Sequence, residues 1–253
     1  AQYILNWLAA GGNQNNLSVI YSVNNKPYHM FNVFKLNYNN SNLDNDILYV
    51  NNFFNSIIIS SNSSEIYNID VTIENLSNST LGYASTNKIV LNSSNSNLSN
   101  MFLNEISMSP NTIVLIHEIL HILGIGLGDK WSELINTNSY TYNGNHGVNQ
   151  YKNVLTLNQI DSSLIQHIPI EDDFGSGTIL SHLEEGLDNN MTNEKRFINS
   201  VYYPVLSNEI ITGFLSNHSF FTSISAGILN DLGFTINYSS QHILNSSSNM
   251  NFI

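Results

Sequence analysis

From Ile113 to Leu123 every residue is apolar except His117, Glu118 and His121. Pro110 and Asn111 precede this run and Gly124 follows it, which predicts a helix that ends on a left-handed glycine. A helix apolar nearly all round belongs in the interior. Two imidazoles and a carboxylate placed there need partners, since a buried polar group without one costs about 2–7 kcal/mol. Residues four apart are offset by about 40° around a helix axis, so His117 and His121 can reach one point from successive turns. Glu118 points to the side. A metal ion between the two imidazoles meets the cost of burial, and Glu118 is then placed to take a proton from a water in the ion's open position.

A catalytic zinc shell of this kind takes three protein ligands, so one more must come from elsewhere in the chain. Cysteine is absent, which removes disulfides, thiolate ligands and a cysteine nucleophile. The third ligand is therefore a His or a carboxylate. In the compact pattern HExxHxxGxxH it would stand at position 127, but Leu127 cannot bind a metal. Asp129 and Glu133 are near in sequence, yet neither sits where a second helix usually supplies a ligating glutamate. His146, His167, His182 and His218 remain, all downstream.

The 253 residues suffice for one large domain with a substantial core. The net charge of −12 arises because Lys and Arg together number only 7. Nucleic-acid binding is thereby disfavoured, since phosphate neutralisation needs basic side chains. The longest apolar runs, such as Ile57 to Ile59, are far too short to cross a bilayer. The sequence is rich in Asn and Ser, a bias of polar loops.

Alternation from Phe31 to Tyr38 predicts a strand, and Asp44 and Asp46 open a helix that carries Ile47, Leu48, Val50, Phe53, Phe54, Ile57 and Ile58. Ile69 to Glu74, Leu81 to Ser85 and Lys88 to Leu91 read as further strands ahead of the helix with the two His. The pattern is α+β, with an amino-terminal lobe over 1–124 built on a twisted mixed sheet and two helices. Residues 125–253 make a carboxy-terminal lobe that is Gly-rich and irregular. One late helix is expected there, with Ile224, Ile228, Leu229 and Leu232 on its buried side and Gly233 at its end.

In order along the chain, Leu81-Gly82-Tyr83-Ala84, His117 to Gly126, Trp131-Ser132, Tyr142-Asn143-Gly144 with Tyr151, Ile168 to Glu171 and Gly175 to Thr178 resemble segments of the leishmanolysin-like metzincins. That family keeps HExxHxxG and inserts a long segment before its third His. Ser181-His182-Leu183-Glu184-Glu185 resembles its third-ligand segment, which selects His182 and leaves His146 and His167 as alternatives. The family places a methionine turn beneath the metal. Asn208 to Leu215 resembles that turn with Ile211 at the Met position, whereas Asp188 to Thr192 offers Met191 in poorer surroundings. The ending Asp231-Leu232-Gly233-Phe234 is similar to that of the family's final helix, so Ile211 is favoured.

The resemblance spans about Phe31 to Phe234 and implies a zincin fold, one catalytic Zn2+ on His117, His121 and His182, and Glu118 as the general base of a metalloendopeptidase. It implies a protein or peptide substrate, laid in the cleft between the lobes. An alternative is a metzincin-like scaffold kept for binding, with little or no turnover. A zinc hydrolase acting on a non-peptide substrate is a third. A Cys-free chain differs from the family's disulfide-rich animal and protozoan members and suggests a microbial or viral-type branch. The expected location is secreted, extracellular or particle-associated.

Overall fold

The computed structural model describes residues 21–23, 26–28, 33–61, 66–77, 80–186, 197–198, 200–250 and 252. By its internal contacts the chain divides into Ala1–Asn32 and Val33–Ile253. The first unit contains an antiparallel pair, Tyr21–Val23 with Lys26–Tyr28. The second is α+β, with five α-helices among the described residues.

A four-stranded sheet forms the base of the amino-terminal lobe. Phe34–Asn37, Tyr67–Glu74 and Lys88–Asn92 run parallel, and Gly82–Ser85 lies antiparallel at the edge beside Lys88–Asn92. Register places Leu36 opposite Ile69, and Val71 opposite Ile89. These four side chains are buried, which fixes the register because a one-residue slip would turn each of them outward. Asp44–Ile57 forms helix α1, and Pro110–Ile122 forms α2, the helix of the two His. Helix α2 packs on α1 and on strands Gly82–Ser85 and Lys88–Asn92. Phe54 of α1 meets the edge strand Phe34 ring edge to face, with centroids 5.4 Å apart.

The first turn of α2 is tied down by polar contacts. Ser109 caps it by accepting the N–H of Thr112 at 3.2 Å. Both the Ser109 and the Thr112 hydroxyls donate to Asp46 of α1, the latter at 2.6 Å. Asp46 thus lies in the first turn of α1, as its sequence position suggests, and also anchors α2. Leu123 and Gly124, the latter at φ +111°, end the helix as the sequence predicts.

The second lobe holds more helix than its glycines suggest. Gly128–Leu134 forms α3, Asn145–Leu157 forms α4 and Ser223–Asp231 forms α5. Helices α4 and α5 pack together, and Asp231 at the end of α5 accepts the N–H groups of His146 and Gly147 at 2.9 and 2.8 Å and the hydroxyl of Tyr142 at 3.0 Å. One carboxylate thereby satisfies the open N-terminus of α4.

Asp46→Ala should destabilise the fold by about 2 kcal/mol, because it leaves the buried Thr112 hydroxyl without its acceptor and loosens the cap of α2. A lower midpoint of urea unfolding with an unchanged slope is the expected result.

Candidate metal centre

His117 and His121 lie on successive turns of α2, as the spacing predicts, and His182 enters from the turn that precedes the bridge between Leu183 and Ile170. All three imidazoles are buried. Their Nε2 atoms form a triangle with edges of 3.1 Å (His121 to His117), 3.1 Å (His121 to His182) and 3.2 Å (His117 to His182). Each opposite ring nitrogen faces a backbone carbonyl. Nδ1 of His117 donates to Ile210 O at 2.7 Å and Nδ1 of His121 to Ile125 O at 2.8 Å, while Nδ1 of His182 lies 3.0 Å from the Ser181 hydroxyl and 3.2 Å from Thr178 O.

A carbonyl can only accept, so in the neutral rings of His117 and His121 the proton sits on Nδ1 and Nε2 presents a lone pair. His182 takes the same tautomer when its Nδ1 donates to Thr178 O or to the Ser181 hydroxyl. With that tautomer three lone pairs converge with no hydrogen between them, an arrangement that a cation among them would stabilise. In a tetrahedral shell with bonds of about 2.0–2.1 Å, neighbouring nitrogens lie about 3.3 Å apart. The observed triangle fits zinc on that measure, and the donor set is the His-rich one zinc accepts. Burial depresses the pKa of all three imidazoles: His117 well below its usual value, with His121 and His182 adding to the shift, His121 by burial alone, and His182 to about 3 with a further push from His121. They stay neutral, as metal ligands must.

Glu118 is buried beside the triangle and accepts the backbone N–H of Ala84 from the edge strand. Burial raises its pKa to about 8, against the lowering effect of that hydrogen bond. It is thus the titratable group of α2 that is not engaged by the triangle.

The third-ligand segment is held on several sides. Glu171 N–H donates to His182 O at 3.0 Å, Glu184 N–H to Pro169 O at 3.2 Å and Leu183 N–H to Ile211 O at 3.0 Å. The Trp131 indole of α3 donates to Leu180 O at 2.8 Å. Gly126, at φ +80°, lies directly under this segment: a Cβ there would stand 2.2 Å from Ser181 O.

Ile211 is fully buried, and its neighbour Ile210 supplies the carbonyl that orients His117, so the segment chosen for the methionine turn adjoins the site with isoleucine in place of methionine. Met191 lies outside the described residues. The other candidate histidines are elsewhere. His146 is exposed at the start of α4, His167 stacks on Tyr203, and His218 stacks on Phe102 and lies 3.8 Å from Glu105. Asp129 and Glu133 are exposed on α3.

Sequence reading gives no role to Glu209, yet this buried carboxylate accepts the N–H of Ile211 at 2.9 Å, the N–H and hydroxyl of Thr222 at 3.2 and 3.1 Å, and the hydroxyl of Ser225 at 2.8 Å. It pins the turn under the site to the first turn of α5. A lone Glu before the apolar pair Ile210-Ile211 was the available signal. The sequence matches no protein-family model, and no curated protein is significantly similar to it.

Gly126→Ala should displace the Ser181 backbone and with it His182, weakening zinc binding by about tenfold or more. Competition against a chromophoric chelator measures this. An unchanged affinity would mean that the crossing segment yields without moving the imidazole.

Proposed function

We propose that this chain is a zinc-dependent endopeptidase of the leishmanolysin-like metzincin type, with His117, His121 and His182 as the metal ligands and Glu118 as general base. The observation that carries this reading is the convergence of three buried Nε2 atoms at 3.1–3.2 Å, with His117 and His121 oriented by backbone carbonyls and His182 by Thr178 O and the Ser181 hydroxyl. Support for the metzincin type comes from the turn Gly124 to Gly126 after α2, from the long stretch before His182, and from the Asn208 to Thr212 segment against His117.

Zinc held by His117, His121 and His182 would supply Lewis acidity toward a substrate carbonyl and toward the attacking water. Glu118 moves the proton. Its carboxylate form is the one that acts as base, and a divalent cation held by the three imidazoles would favour that form. It accepts a proton from the attacking water and delivers it to the nitrogen of the leaving amine. The Ala84 N–H holds it in place. Gly82–Ser85 is an edge strand, and an extended substrate added along that edge would carry its scissile bond past Glu118.

The test is zinc content together with cleavage of an unfolded protein. Glu118→Ala should keep one zinc per chain and lose cleavage by about a hundredfold or more. His182→Ala should lose most of the bound zinc, whereas His146→Ala should not. Zinc without cleavage in the native chain would overturn the peptidase reading in favour of a binding scaffold. A native chain that takes up no zinc would overturn the site itself.

A further inference from the structure

A second group of potential ligands lies behind His182. One carboxylate oxygen each from Glu171, Asp172 and Glu184 lie within 4.8 Å of one another, and Glu171 and Glu184 are 0% and 2% exposed. They sit on paired segments: Glu171 N–H donates to His182 O, and Glu184 N–H donates to Pro169 O. Glu171 uses Oε1 to accept the N–H of Asp173 at 2.8 Å, while its Oε2 is buried with no hydrogen-bond donor. A fourth carboxylate approaches from outside this trio. Glu185, 1% exposed, accepts the Gly213 N–H on Oε2 at 3.4 Å, keeps Oε1 without a donor and lies within hydrogen-bonding reach of Glu171.

From this placement we infer a structural site for a hard divalent cation of the calcium type, ligated by Glu171, Asp172 and Glu184 with Glu185 beside it. Calcium takes six to eight oxygen ligands at about 2.3–2.6 Å in flexible geometry, and three carboxylates gathered this closely can supply several of them. Magnesium demands a near-ideal octahedron and retains its waters, which suits a largely buried group less well. With no His or Cys in the group, the donors are hard oxygens alone. Glu171 Oε2 and Glu185 Oε1 are buried with no donor, and carboxylates gathered this closely repel one another. A calcium ion relieves this and ties the segment around Glu171 to the one that follows His182, so that it braces the third zinc ligand.

The experiment is calorimetric titration of calcium chloride into the zinc-loaded native protein, with magnesium chloride as comparison and thermal melting as a second readout. One saturable calcium site and a melting temperature raised by calcium are expected. Asp172→Asn and Glu171→Gln should each weaken calcium binding by about tenfold or more and remove the thermal shift, with zinc content unchanged. Asp172 is only partly buried, so its variant decides the question if Glu171→Gln fails to fold. Three results would overturn the site: no saturable binding up to about 10 mM calcium, a calcium response that survives in Asp172→Asn, or a preference for magnesium. Zinc binding and cleavage are read separately, so this inference can fail while the proposed peptidase stands.

Discussion

The convergence of three imidazole lone pairs in a water-poor interior is the constraint on which the rest of the site depends. Each ring is turned toward the centre by a carbonyl from a different stretch of backbone: Ile210 beneath the site, Ile125 just past α2, and Thr178 before the third ligand. Neutral imidazoles are cheaper to bury than charged ones, and burial keeps them neutral. The chain thus commits three segments, far apart in sequence, to a geometry that could hold a cation. Glu209 serves the same end at one remove, because its four donors fix the turn that presents Ile210.

The amino-terminal lobe was largely legible because its cues are local. Asp44 opens α1, alternation marks Tyr67–Glu74, and the apolar run with its flanking Pro110 and Gly124 defines α2. Beyond Gly124, composition misleads. Helix α4 contains Gly147 and three Asn residues, poor helix formers, yet Val148, Tyr151, Val154 and Leu155 recur at helical spacing and are buried. Its N-terminus is held by Asp231 from the far end of the chain, a tertiary contact that no local window contains. Helix α3 is short, and Trp131 at its centre turns inward to hold Leu180.

At the site itself, helical periodicity was enough to pair His117 with His121. His182 is different in kind, since its position rests on a crossing 61 residues later in sequence than His121. Only the resemblance of its segment distinguished it from three other histidines. Glu209 escaped notice because its four partners come from Ile211, Thr222 and Ser225, and its value appears only once they are folded around it. Ile211, beside the carbonyl that orients His117, is fully buried, so the packing there is apolar.

X-ray absorption at the zinc edge tests the central claim most directly, because it reports the atoms around the metal without reference to any substrate. The account predicts a first shell of three imidazole nitrogens and one oxygen at about 2.0–2.1 Å in the zinc-loaded native chain, with one imidazole missing from whatever zinc His182→Ala retains. A shell with fewer than three imidazoles in the native chain, or a spectrum unchanged in His182→Ala, would contradict it.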